Sequence, residues 1–140
     1  MLKKIFFAIA VFIFISLSFV SASNFVFNVN IERNFSEENI WQDNYEILNL
    51  QIEEVFLNNL SYYFVTEDDY YNDTIKIQTL DSGRNVLNET YYISLFDDSN
   101  LTKEIIYVPY ENARYVKFFN TGRELLEFDT DELCNYDSSC

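Results

Sequence analysis

The sequence predicts an all-β protein, a single antiparallel β-sandwich of about seven strands behind one N-terminal helix. Three observations predict it. Apolar and polar residues alternate with period two along several short runs. Those runs are rich in aromatic and β-branched residues, and polar turn clusters separate them.

Phe25, Phe27, Val29 and Ile31 alternate with Val26, Asn28 and Asn30, the pattern of a half-buried strand. Asn34 to Asp43 is polar and reads as a loop in which Trp41 caps the core. Tyr45 to Leu57 has two readings. Leu48, Leu50 and Ile52 alternate with Asn49, Gln51 and Glu53, which favours a strand, whereas helical spacing catches Leu48, Ile52 and Val55. The β-prone neighbourhood decides for a strand. Tyr62 to Thr66 is a further β-prone run, ended by Glu67, Asp68 and Asp69.

Thr74 to Leu80 alternates Ile75, Ile77 and Thr79 against Lys76 and Gln78. Asp81-Ser82-Gly83-Arg84-Asn85 has turn chemistry, with Gly83 expected to take positive φ. Val86 to Leu95 returns as the second arm of a hairpin, with Tyr91, Ile93 and Leu95 on one face. Lys103 to Tyr110 is a strand that ends at Pro109. Proline cannot donate to a ladder, so this strand is expected at an edge or an exit. Tyr115 to Phe119 and Leu125 to Phe128 flank Asn120-Thr121-Gly122, a second tight hairpin. With only two glycines, asparagine and aspartate are expected to carry the turns.

Ahead of these strands the chain reads Met1-Leu2-Lys3-Lys4, then an apolar run from Ile5 to Val20, then Ser21, Ala22 and Ser23. A positive start, an apolar centre and a small-residue exit are the parts of a signal-peptide helix, with cleavage expected after Ala22. The run falls short of the roughly 20 apolar residues that span a bilayer comfortably. A retained anchor is the alternative. The domain boundaries follow: 1–22 signal peptide, 23–130 β-sandwich domain, 131–140 a tail that carries Cys134 and Cys140.

Charge and cysteines narrow the class. The chain has 9 basic and 23 acidic side chains, and cleavage would remove Lys3 and Lys4. Such a chain repels polyphosphate, so nucleic acid is excluded as a partner. An anionic membrane surface is disfavoured too, and a membrane is expected only if the N-terminal segment is retained. In an exported chain the default for Cys134 and Cys140 is a disulfide. Intermolecular pairing and a metal site rank below it. So short a loop would pin a tail and constrain little else.

The stretch from Thr74 to Asp129 resembles the small immunoglobulin-like β-sandwich domains of uncharacterised exported archaeal proteins. The residues that carry the likeness are Ile75-Lys76-Ile77, the turn Asp81 to Asn85 with Val86-Leu87, the step Tyr107-Val108-Pro109-Tyr110, and Val116-Lys117-Phe118 with Gly122 to Asp129. A short cysteine-containing tail, as in Leu133-Cys134-Asn135 to Cys140, is part of the resemblance. It implies an immunoglobulin-like fold and an exported location, and it implies no activity.

Histidine is absent, which removes Ser-His-Asp and Cys-His catalysis and histidine zinc sites. There is no glycine-rich phosphate loop. Paired carboxylates could still serve a small extracellular hydrolase, which needs only two acids across a sugar. Calcium is the better use of acids, because hard cations take oxygen ligands. The candidates are Asp97, Asp98 and Asn100 in one loop and Asp129, Asp131 and Glu132 near the end, against the plainer reading of solvated turns. Aromatic residues make up 19% of the chain. Tyr70 and Tyr71, set among acids, are the candidates for a binding surface. Five sequons, Asn34, Asn59, Asn72, Asn88 and Asn100, exceed chance and point to surface glycosylation. Together these observations predict a secreted or cell-surface binding or structural domain without catalytic activity. No cofactor is expected beyond a calcium ion, and the partner would be an extracellular protein or carbohydrate.

Overall fold

Two antiparallel sheets face one another in the computed structural model, which describes residues 23–34, 46–58, 74–94 and 100–137. Among those residues there are seven strands: β1 (Asn24–Arg33), β2 (Ile47–Asn58), β3 (Thr74–Leu80), β4 (Val86–Ile93), β5 (Leu101–Pro109), β6 (Tyr115–Asn120) and β7 (Arg123–Asp129). A 3₁₀ turn (Thr130–Glu132) and a single helical turn, α1 (Leu133–Tyr136), follow. One sheet runs β2-β1-β5 and the other β4-β3-β6-β7. The N-terminal segment, Trp41 and the run from Tyr62 to Thr66 lie outside the described residues.

β1 is the centre of the three-stranded sheet, and its alternation places Phe25, Phe27, Val29 and Ile31 inward, all essentially solvent-free. Burying each such side chain favours folding by about 1.5–3 kcal/mol. The rings interlock edge to face. Phe27 meets Phe118 of β6 at 5.1 Å and Phe128 of β7 at 5.3 Å between centroids, with interplanar angles of 79° and 90°. That geometry sets the positive rim of one ring against the negative face of another.

β2 is a strand, and its mixed periodicity has a cause. In the pairing with β1, Arg33 meets Ile47 and Glu32 meets Asn49, so Leu48 is the extra residue of a bulge. A second bulge leaves Glu53 unpaired between Ile52 and Glu54. Each bulge shifts the side-chain parity by one. Ile47, Leu50, Ile52 and Val55 therefore turn to the core, while Leu48 is exposed.

The β3–β4 and β6–β7 hairpins form as expected. In the first turn, however, Arg84 takes the positive φ (65°), not Gly83. The Arg84 N–H donates to the Asp81 carbonyl, and the Asn85 carbonyl accepts from the Asp81 N–H. This is a three-residue loop whose last residue is left-handed. A Cβ at Gly83 would sit 3.1 Å from Asn85 Nδ2 and 3.3 Å from Asp81 Oδ1, so those two side chains would have to shift by a few tenths of an ångström to admit it.

Register also assigns the faces of β4. Tyr92 pairs with the buried Ile75 and Thr90 with Ile77, so Thr90 and Tyr92 face the other sheet. Tyr91 and Ile93 share a face, but it is the outer one. Pro109 ends β5, which forms an edge of its sheet.

Candidate functional site

Strand parity brings two charged side chains into the core. Arg33 is in phase with Phe25 to Ile31, and Thr102 and Glu104 are in phase with Ile106 and Val108. The Arg33 and Glu104 side chains are 1% and 3% exposed and 2.9 Å apart, Nη2 to Oε2. Thr102 Oγ1 accepts from Arg33 Nη1 at 2.7 Å and donates to Glu104 at 2.9 Å. Ser94 Oγ donates to Glu104 at 2.7 Å and Tyr92 Oη at 3.2 Å. Burial, then the Glu104 charge, pushes the Tyr92 hydroxyl well above the ordinary tyrosine range. A carboxylate holding four donors is a structural anion. It staples the end of β1 and the end of β4 to β5, across the two sheets.

That staple fixes the relation of two edge strands. β5 lies over β4 on one side of the sandwich, and β2 lies over β7 on the other. The β2/β7 side is closed. Arg123 Nη2 donates to the Ile47 and Leu48 carbonyls at 2.6 and 3.2 Å, and Tyr136 of α1 packs on Phe128. The β4/β5 side carries the apolar surface. Of the seven exposed large hydrophobic residues described, five lie there: Val86, Leu87 and Ile93 on β4, Leu101 and Ile105 on β5. Leu101 and Ile105 are 58% and 52% exposed.

The outer face of the four-stranded sheet is of another kind. Arg84 forks onto Glu127 with two bonds of 3.0 Å and lies 4.3 Å above the Tyr115 ring. Lys117 bridges Glu124 and Glu127 at 2.9 and 3.1 Å. The Arg84 fork holds the Glu127 carboxyl below its usual range, and the Glu124 bond holds the Lys117 ammonium above its own. Such exposed pairs are individually weak. They leave this face self-paired.

The predicted site residues are distributed widely. Asp129 caps the 3₁₀ turn by accepting from the Asp131 N–H at 2.9 Å. Asp129 and Asp131 both pair with Arg114. Their charge is thus met by a guanidinium, and Glu132 does not join them. Among the described residues no group of three or more acidic or sulfur side chains is placed to hold a metal ion. Asn100 is exposed, while Asp97, Asp98, Tyr70, Tyr71, Asn59, Asn72 and Cys140 lie outside the described residues. Cys134 sits on α1, and no cysteine among the described residues is free. The described tyrosines do not gather on one face: Tyr92, Tyr110 and Tyr136 pack on the core, Tyr91 and Tyr115 lie outside one sheet, and Tyr107 outside the other.

Sequence reasoning missed the Arg33–Glu104 centre. The signal was the phase of each residue with the apolar positions of its own strand. Among the described residues no helix is long and apolar enough to cross a membrane. No protein-family model, curated protein or solved structure matches this chain.

Proposed function

We propose that the protein is an exported, non-catalytic binding domain, an immunoglobulin-like sandwich at or beyond the cell surface that holds an extracellular protein through its β4/β5 side. The observation that carries this reading is the segregation of exposed apolar residues. All seven occupy edge strands, and five belong to β4 and β5, the two edges that α1 and Arg123 do not close. Exposed apolar side chains along open strand edges of a strongly acidic chain suit contact with another protein. The N-terminal lysines, apolar run and Ser21-Ala22-Ser23 exit support export. The run β3-β6-β7, third, sixth and seventh strands side by side, supports the immunoglobulin-like assignment, while the order β2-β1-β5 departs from it by placing the first strand at the centre.

The test uses the fluorescently labelled chain, recovered from the medium and added back to the producing cells. Wild type should be retained at the surface, and a Leu101→Ser, Ile105→Ser double variant should wash off. Equal retention of both proteins would remove the β4/β5 side from the reading.

A further inference from the structure

The edge strands β2, β5, β4 and β7 are not equally protected. An unpaired strand side offers main-chain N–H and C=O groups to any extended chain, and lysine, proline, bulges or a covering element blunt it. β7 lies on the side that Arg123 and α1 close, and β2, on that same side, is broken by two bulges. β5 carries Lys103 and ends at Pro109, which has no N–H to donate. β4 has neither a lysine nor a proline. Its irregularity lies at its start, between Val86 and Asn88, and from Asn88 to Ile93 it runs in unbroken register with Thr79 to Thr74. Among the described residues β4 pairs with β3 alone.

Charge selects the occupant. Glu89 is exposed on the outer face of β4 and accepts from Gln78 Nε2 at 2.8 Å and Tyr91 Oη at 2.7 Å. A carboxylate has about four acceptor positions, so these bonds leave it room for a cation. Glu111, exposed in the connection from β5 to β6, stands at the same stretch of the edge and accepts from Asn88 Nδ2 at 3.4 Å. The cations of the neighbouring strand and turn point the other way. Lys76, opposite Tyr91, lies 5.3 Å over the Phe119 ring of β6, and Arg84 forks onto Glu127 of β7. The edge is thus anionic in a chain of net charge −14, which repels a second copy and draws a cationic segment.

We propose that the open side of β4 takes an extended, lysine- or arginine-bearing segment of a partner protein as an added strand, main chain to main chain. Alternate side chains of that segment would lie on the outer face beside Glu89, Tyr91 and Ile93, where a cation meets the Glu89 carboxylate. The others, apolar, would continue the inner layer of Thr90 and Tyr92.

This inference rests on the reading of β4 and β5 as the protein-binding side. The probe is a fluorescein-labelled peptide of about eight residues that alternates lysine and valine. Anisotropy with the full chain reads its affinity, and hydrogen exchange of the chain locates the contact. The peptide should bind and slow exchange in residues 88–93. It should lose about tenfold or more of its affinity when one alternate set of its amides is N-methylated, and not when the other is, because only one set faces β4. Glu89→Gln with Glu111→Gln should weaken it about fivefold. Equal affinity of the two methylated peptides, unchanged exchange in residues 88–93, or a chain that sediments as a dimer which the peptide dissociates would each overturn the proposal. Such a result, beside cells that retain wild type and release the Leu101→Ser, Ile105→Ser variant, would refute strand addition and leave the broader reading standing, so the two can fail separately.

Discussion

Arg33 and Glu104 meet 2.9 Å apart in the interior of the sandwich, one at the end of a central strand and the other on an edge strand. Neither charge reaches water, so each depends on the other. Removing one partner of a buried pair costs about 3–5 kcal/mol, because the remaining charge is left buried and uncompensated. Glu104→Gln should therefore lower the urea midpoint sharply. Arg33→Met combined with Glu104→Leu should recover part of that loss. A single variant as stable as wild type would show that the pair does not hold β5 in place.

Phe27 is the hub of the aromatic core, touching Phe25, Phe118 and Phe128. Phe27→Ala should destabilise by about 3–5 kcal/mol, through lost transfer energy and the cavity left behind. In denaturant titrations the midpoint should fall with the slope unchanged.

The β6–β7 turn carries a β-branched residue where it is disfavoured. Thr121 has φ 49° and Gly122 φ 79°, a two-residue turn with both positions left-handed. Asparagine tolerates that region better than threonine. Thr121→Asn should raise the melting temperature, by an amount equivalent to about 0.5–1 kcal/mol. Gly122→Ala should lower it by about as much or more, although a Cβ there meets no atom within 4 Å. The alanine penalty is one of backbone conformation alone.

Stability should fall at both ends of the pH scale. Asn30 and Lys103 lower the Glu53 carboxyl below its ordinary value, the Asn85 N–H lowers Asp81, Gln78 and Tyr91 lower Glu89, and Arg84 lowers Glu127. For a depressed acid the stabilisation is present above the unfolded pKa and is lost as pH falls through the folded one. The acid limb should thus begin as pH falls into the ordinary carboxylate range and continue below it, until the lowered folded values have been passed. Tyr92 is raised, so its contribution is intact below the unfolded value of about 10 and is lost as pH rises past it. Melting temperatures measured from pH 2 to 11 check both limbs. Tyr92→Phe should flatten the alkaline one.

Most of the strand positions were legible, because Phe27 to Ile31, Ile75 to Thr79 and Val116 to Phe118 alternate buried residues with more exposed polar ones. What stayed hidden has local physical causes. The two bulges of β2 break its period, so Leu48 looks buried and Ile47 does not. On β4, an edge strand, the aromatic alternation of Tyr91 and Ile93 marks the outer face, and the inner face carries Thr90 and Tyr92. In the Asp81–Asn85 turn, the three-residue loop puts the left-handed conformation on its last residue, Arg84, and not on Gly83. The β4/β5 side stayed hidden because two consecutive strands lie in different sheets, each at an edge, which the pattern of neither strand reveals.

The mass of the intact protein collected from culture medium tests the central claim most directly. The account predicts a chain that begins at Ser23, with the N-terminal segment removed. A full-length chain beginning at Met1 and found only in the membrane fraction would contradict it.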